Sequence, residues 1–151
     1  MKHKRGNLLD EVKTGIILQQ VNAQGVMGSG FAKQIRQKWP TVWEVYSNNV
    51  TGGSETYTSQ SMGMVIPVMV EPGLFVVNLV AQQFYGKDFK RYTSYDALDN
   101  CLRTVAKFNK TDNLPIHHPL IGCGLGGGDW DIVLTIIERH LGLETTLWTL
   151  D

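Results

Sequence analysis

Several things are scarce in this chain, and each scarcity closes off a class. Cysteine is limited to Cys101 and Cys123. That excludes the paired framework of a disulfide-stapled secreted domain and fits a reducing compartment. No apolar stretch approaches the ~18 residues of a membrane-spanning helix, and the N-terminus has no apolar signal-peptide core. The expectation is a soluble, cytoplasmic protein without a membrane partner. Neither sign of charge is in excess, because 14 basic residues balance 14 acidic ones. A general nucleic-acid binder or a membrane-surface protein would carry surplus Lys and Arg; Lys2, Lys4 and Arg5 at the start read as solvated charges. Two familiar phosphate patterns are also missing, G-x-G-x-x-G and G-x-x-x-x-G-K-[ST]. His117 and His118 are adjacent, so on a strand they point to opposite faces and cannot ligate one zinc ion. No motif asks for a metal or a cofactor.

Glycine is what the chain has in quantity, 16 residues in 151, and it is concentrated. Gly25, Gly28 and Gly30 stand at G-x-x-G-x-G spacing between two patterned segments. The preceding run, Gly15–Val21, is rich in branched apolar residues and reads as a buried strand. From Phe31 onward Phe31, Ile35 and Trp39 recur every four residues, and Pro40 helps end the helix they define. A glycine loop entering a helix lets backbone N–H groups approach a ligand, and the helix N-terminus favours an anion, so the natural guest is a phosphate or pyrophosphate. The same arrangement recurs later. The apolar run 114–121 leads into Gly122-Cys123-Gly124-Leu125-Gly126-Gly127-Gly128, then into a helix with Ile132, Leu134, Ile136, Ile137 and Leu141 assigned to its buried side. Five glycines in seven residues carry an entropic cost that a purely passive loop would not need. Two strand–glycine–helix units in one small domain suggest two walls of one phosphate cleft at the carboxyl ends of neighbouring strands.

At this length and with 42% apolar residues, residues 1–151 form a single domain. Its expected elements are an edge strand from His3 to Leu9 ending in Gly6-Asn7, a strand at 15–23, helices at about 30–39 and 41–49, and a turn at Gly52-Gly53-Ser54. Strands 61–70 and 74–82 follow, joined through Glu71-Pro72-Gly73 as an antiparallel hairpin. A polar, aromatic loop runs over 83–92. A helix capped by Thr93 or Ser94 has Leu98, Leu102 and Val105 inside; a strand at 114–121, a helix at 130–141 and a strand at 145–150 complete the chain. Alternating strands and helices with one hairpin give a three-layer α/β fold around a mixed sheet.

These segments resemble the macrodomain family. The likeness rests on Gly6-Asn7-Leu8, on Val21-Asn22-Ala23 with Met27-Gly28-Ser29-Gly30-Phe31-Ala32, and on Ile121 through Trp130. It covers essentially the whole chain in the expected order. The branch it is most similar to holds ADP-ribose-1″-phosphate phosphatases and terminal ADP-ribose protein glycohydrolases, and includes small phage proteins. The resemblance implies a mixed sheet of six or seven strands between helices, with ADP-ribose bound across the strand ends. It places Gly6, Asn7 and Leu8 at the adenine, Asn7 standing where the family has an aspartate. It places Asn22 at the distal ribose, Gly25, Val26, Met27, Gly28, Ser29, Gly30 and Phe31 along the diphosphate and ribose, and Ile121, Gly122, Cys123, Gly124, Leu125 and Gly126 on the facing phosphate loop. Asp129 is similar to the acid of the phosphatase branch. Two departures bear on chemistry: the glycohydrolase lysine and acid are replaced near Ala81 or Gln82 and at Gly126, and a histidine of some phosphatases by Gln24.

Plainer roles stand beside these. Asn7 suits an Asx turn, Asn22 can tie down the glycine loop, and Asp129 suits a helix N-cap. Cys123 can be a small loop residue rather than a nucleophile. The leading expectation is an ADP-ribose-binding enzyme that removes phosphate from ADP-ribose 1″-phosphate, with Asn22 and Asp129 as its catalytic pair. The alternatives are a non-catalytic binder of ADP-ribose or a related nucleotide, and a hydrolase acting on ADP-ribosylated protein.

Overall fold

The computed structural model describes residues 1–52, 61–88 and 90–150. Along the chain run β1 (Lys2–Arg5), α1 (Leu8–Glu11), β2 (Gly15–Asn22), α2 (Gly30–Lys38), α3 (Pro40–Thr51), β3 (Val65–Glu71), β4 (Leu74–Gln82), α4 (Tyr95–Phe108), β5 (Ile116–His118), α5 (Trp130–Leu141) and β6 (Thr146–Thr149). The six strands form one sheet in the order β1-β6-β5-β2-β4-β3. Every neighbouring pair is parallel except β3 and β4, which form the expected antiparallel hairpin through Pro72 and Gly73. This is the three-layer α/β architecture with a mixed sheet.

Alternation along β2 feeds two cores. Ile17 and Val21 pack with Leu8, Leu9, Ile35, Val42 and Tyr46 under α1–α3, while Ile16 and Leu18 pack with Leu98, Leu102, Val105, Val133 and Ile137 under α4 and α5. A parallel strand covered on both faces reads as a largely apolar run, as β2 does. Among the described residues, no helix is long and apolar enough to cross a membrane.

Three boundaries and one buried face differ from expectation. The segment 3–9 is not one strand, because β1 ends at Arg5 and the chain turns at Gly6 (φ 142°) into α1. The strand expected over 114–121 shrinks to Ile116–His118, since Pro115 and Pro119 flank it and the chain turns at once, Ile121 N donating to Pro119 O at 2.9 Å. Proline has no N–H to give the ladder and confines the strand between them. β3 begins at Val65, with Ser61–Gly63 in a turn ahead of it. Ile132 is 43% exposed; Val133, Ile136 and Ile137 carry the buried face of α5 instead. The turn expected at Gly52-Gly53-Ser54 lies largely outside the described residues, although Gly52 itself closes α3 with φ 65°.

His118 at the end of β5 is fully buried. Its Nδ1 lies 2.9 Å from Pro119 O, so it carries the proton, and Nε2 lies 3.0 Å from the Thr145 hydroxyl. Burial pushes its pKa down to about 4. A histidine with a depressed native pKa takes up its proton more readily when unfolded, so stability is full above the unfolded value near 6.5 and is lost as pH falls toward 4. Urea titrations should therefore show stability dropping by up to roughly 3 kcal/mol between pH 7 and pH 4, and His118→Gln should flatten that part of the profile.

Candidate functional site

The site follows from where the helices go after two adjacent strands. After β2 the chain crosses to α2 on one face of the sheet; after the neighbouring β5 it crosses to α5 on the other. Loops that part in this way open a crevice at the strands' carboxyl ends. A cavity of about 1010 Å³ lies there. Its lining comes from the ends of β1, β6, β5, β2 and β4, five neighbouring strands. At ~4.8 Å per strand spacing, that is a trench of ~19 Å.

Most residues expected at the ligand do line it: Gly6, Asn7, Leu8, Asn22, Val26, Met27, Gly28, Ser29, Gly30, Phe31 and the whole stretch Ile121–Gly126. Two do not. Gly25 (φ 79°) turns toward α3, where an added Cβ would meet the Thr51 methyl at 3.1 Å, so it is a turn glycine behind the wall. Asp129 is exposed and absent from the lining. Its Oδ1 accepts from Asp131 N at 2.8 Å as the N-cap of α5, and its own N–H donates to the Tyr95 hydroxyl. Its carboxylate caps the helix through Oδ1, and the residue does not line the cavity.

Asn22 is at the wall but equally engaged. It is the last residue of β2, paired with Gln82 of β4 after a register shift that follows Val21. Its Oδ1 accepts from Gln24 N (3.0 Å) and Val26 N (3.2 Å), its Nδ2 donates to Val26 O (2.8 Å), and the buried Tyr46 hydroxyl donates to its main-chain carbonyl. Burial holds the Tyr46 phenol well above its usual pKa, so it stays a donor. The amide fixes the glycine loop, the role that turn chemistry alone suggested. Asn7 likewise caps α1, its Oδ1 accepting from Leu9 N at 3.0 Å. Gln24 reaches across to Gln83 O at 3.0 Å.

The glycines divide into two kinds. At Gly122 and Gly126 an added Cβ would strike Gln20 Oε1 at 2.7 Å or Thr93 Oγ1 at 2.7 Å, and at Gly127 the carbonyl of Lys90 at 2.5 Å. These glycines let the β5 loop pack onto a polar girdle in which Gln20 Nε2 donates to Gln82 Oε1 and Thr93 Oγ1, and Thr93 donates to Gly122 O. Thr93 therefore serves the loop, and Ser94 alone caps α4. At Gly30 and Gly124 nothing lies within 4 Å of an added Cβ. Those two face open space, where a ligand can approach the backbone.

Electrostatically the trench is nearly bare. Among its described lining residues the one Lys, Arg, His, Asp or Glu is Lys87, on the loop after β4. What it offers an anion is backbone. α1, α4 and α5 have side-chain caps, but Ser29 makes no capping bond to α2. The first-turn N–H groups of α2 are left for whatever occupies the cavity. Cys123 lines the wall with its thiol donating to Ile121 O at 3.2 Å; burial and the charge of Asp129 push its pKa up to about 11, so it is a protonated loop residue. No cluster of three or more His, Cys, Asp or Glu able to hold a metal occurs among the described residues.

Sequence reasoning missed Gln20, Gln82, Tyr85, Lys87 and the Trp148–Leu150 end of β6 as lining residues. The parallel sheet carries the signal: any residue just past a parallel strand's carboxyl end belongs to this edge. Removing the Tyr46 hydroxyl (Tyr46→Phe) should cost about 1 kcal/mol in chemical denaturation, and Asn22→Ala roughly 3 kcal/mol, because two loop N–H groups lose their acceptor.

Known proteins share this layout. The chain is 30% identical over 121 residues to a 17.5 kDa protein from the tk-vs intergenic region of Enterobacteria phage T4, covering 79% of this chain and 75% of that one. It is 24% identical over 131 residues to a DNA ADP-ribosyl transferase–DNA ADP-ribosyl glycohydrolase fusion protein of Thermosipho africanus, covering 80% of this chain but only 34% of the fusion. A solved structure of a protein from Bacteroides thetaiotaomicron superimposes with a TM-score of 0.85 at 30% identity, over 97% of this chain and 96% of that one. A model of the Macro domain matches residues 19–137, well over half of the sequence, and the chain belongs to the macrodomain family.

Proposed function

We propose that the trench binds ADP-ribose. The observation that carries this reading is the N-terminus of α2, without a side-chain cap, and the glycine loop after β5 lining the same cavity at its middle, where the loops that follow the adjacent strands β2 and β5 meet it. A diphosphate seated there takes N–H bonds from both walls without needing a cation. From the middle the trench runs two ways. Toward β1 and β6 it is walled by Leu8, Trp148 and Leu150, which suits a flat base; toward β4 it meets Gln82, Tyr85 and Lys87, which suits a hydroxyl-rich sugar. The ~19 Å length accommodates a base, two phosphates and two sugars in extended form. The Thermosipho relative, whose name assigns it ADP-ribosyl chemistry, supports the same ligand.

On turnover, the engaged amide of Asn22 and the external position of Asp129 favour binding over phosphate removal from ADP-ribose 1″-phosphate. The relative's glycohydrolase half supports a second reading, release of ADP-ribosyl groups from a macromolecule, for which Lys87 is the one cation among the described lining residues.

Titration calorimetry with ADP-ribose tests the binding. Gly124→Val should weaken affinity at least tenfold with an unchanged melting temperature, since its Cβ enters open cavity and not packed protein. An unchanged affinity would remove the β5 loop from the site. Incubation with ADP-ribose 1″-phosphate and with ADP-ribosylated macromolecules separates the rest. We expect no phosphate release. If phosphate does appear and Asp129→Asn lowers the rate by the ~10²–10⁴-fold of a lost base, the phosphatase reading is restored.

A further inference from the structure

The adjacent histidines of β5 part across the sheet. His118 is buried on the side of α4 and α5, its ring 6.1 Å from that of Trp130. His117 lies on the side of α1–α3 with Ile17, its partner in β2. His117 does not line the trench, but Trp148 does. Trp148 Nε1 donates to His117 Nδ1 at 2.9 Å, the two rings 6.1 Å apart and tilted by 46°. An indole N–H can only donate, so Nδ1 is the bare nitrogen and the neutral ring carries its proton on Nε2. The Lys4 ammonium stands 5.5 Å from the centre of the Trp148 ring, and a Cβ added at Gly6 would lie 3.6 Å from the same ring. The indole is thus held by one hydrogen bond, one cation and one closely packed turn.

Few charged groups surround His117. β2 and β6 bring Ile17 and Thr146 beside it. Across β6, β1 has Lys2 and Lys4 paired with Thr146 and Trp148, on the same face. α1 adds the exposed Asp10 and Glu11, and Lys38 of α2 is bonded to Leu9 O at 2.5 Å. His3 pairs with Leu147 and bonds the Thr149 hydroxyl at 2.7 Å, on the opposite face. Burial and the charge of Lys4 push the His117 pKa below 6.5, so the bond to the indole is intact at neutral pH. Once protonated, His117 would turn an N–H toward the indole N–H, donor against donor, beside an existing cation. We propose that His117 is the positioning residue for the base end of the trench: neutral, it holds Trp148 as a wall for the nucleotide's ring, and on taking up a proton it lets that wall go. The inference rests on the reading of the trench as an ADP-ribose site and adds to it a dependence on one proton. A ligand that needs the wall in place favours the neutral ring. Its affinity therefore falls as pH falls through the His117 pKa, and by reciprocity it lowers that pKa when bound.

The test follows ADP-ribose affinity by titration calorimetry from pH 7.5 to pH 5.0, a window in which neither the adenine nor the diphosphate takes up a proton. It stops above the value of about 4 at which His118 titrates. The unmodified protein should bind at least threefold more weakly at pH 5.0, and bound ligand should move the NMR titration of the His117 ring protons to lower pH. His117→Leu, without an acceptor, should weaken binding at least fivefold at pH 7.5. His117→Asn sets Oδ1 where Nδ1 stood and cannot titrate, so it should recover most of that loss and give a flat profile. Trp148→Phe, with no N–H to oppose, should be flat as well, and His3→Gln should keep the full dependence. The proposal is overturned if the profile of the unmodified protein is flat, if the Asn variant keeps the slope, or if His3→Gln abolishes it. The unmodified and Asn profiles decide even where the Leu variant fails to fold. Failure of ADP-ribose to bind at pH 7.5 overturns the reading of the trench and the proposal with it, whereas measurable binding with a flat profile overturns the proposal alone.

Discussion

Everything functional in this fold depends on one topological constraint, that adjacent parallel strands β2 and β5 send their helices to opposite faces of the sheet. Parallel strands cannot be joined by tight turns, so each must be followed by a crossover. When neighbouring crossovers diverge, the backbone between them is pulled apart and its polar groups are left facing a gap. Packing beneath makes the gap stable: the two faces of β2 are sealed by separate apolar clusters, so neither loop can collapse inward to close it. The glycine loops do not create the cleft; they make an already open crevice approachable.

Polar side chains at the site do structural work. Asn22 and Tyr46 fasten the loop after β2, Gln20 and Thr93 fasten the loop after β5, and Gln24 and Gln82 tie the segment after β4 to both. Each of these bonds adds about 1 kcal/mol. Their larger effect is to hold backbone N–H groups in a fixed array before a ligand arrives, which lowers the ordering cost of binding. Side chains shape the site, and the contacts of the proposed ligand fall to the main chain.

That division explains what was legible in the sequence. The order of strands and helices, the hairpin through Pro72–Gly73 and the opposition of two glycine loops follow from periodicity and from residue types that act locally. A cap for α4 at Thr93 or Ser94 and the cap of α5 at Asp129 are visible for the same reason. What could not be read were tertiary choices. Nothing local distinguishes Gly25, which packs against α3, from Gly30, which faces open space. Nothing local shows that Thr93 would leave capping to Ser94 and bind Gly122 O, whereas the engagement of the Asn7 and Asn22 amide oxygens by neighbouring N–H groups is the local role that turn chemistry offers. The position of β6, beside β1 and β5 and not after α5 at an edge, brings Trp148 to the trench, and strand order is a property of the whole sheet.

A site whose contacts come from the main chain is unusually free to change its letters. The carbonyls and amides facing the trench are the same whichever residue bears them, so drift at Val26, Ser29, Leu120 or Leu125 alters the texture of the wall without removing a donor. The positions that cannot carry a side chain, or that clamp a loop, are the ones that fix this array. Two such proteins can therefore share under a third of their residues and still superimpose over nearly their full length, as this chain and the Bacteroides structure do. In this chain the glycines and clamps set the main-chain array, and the side chains at the rim stand apart from it.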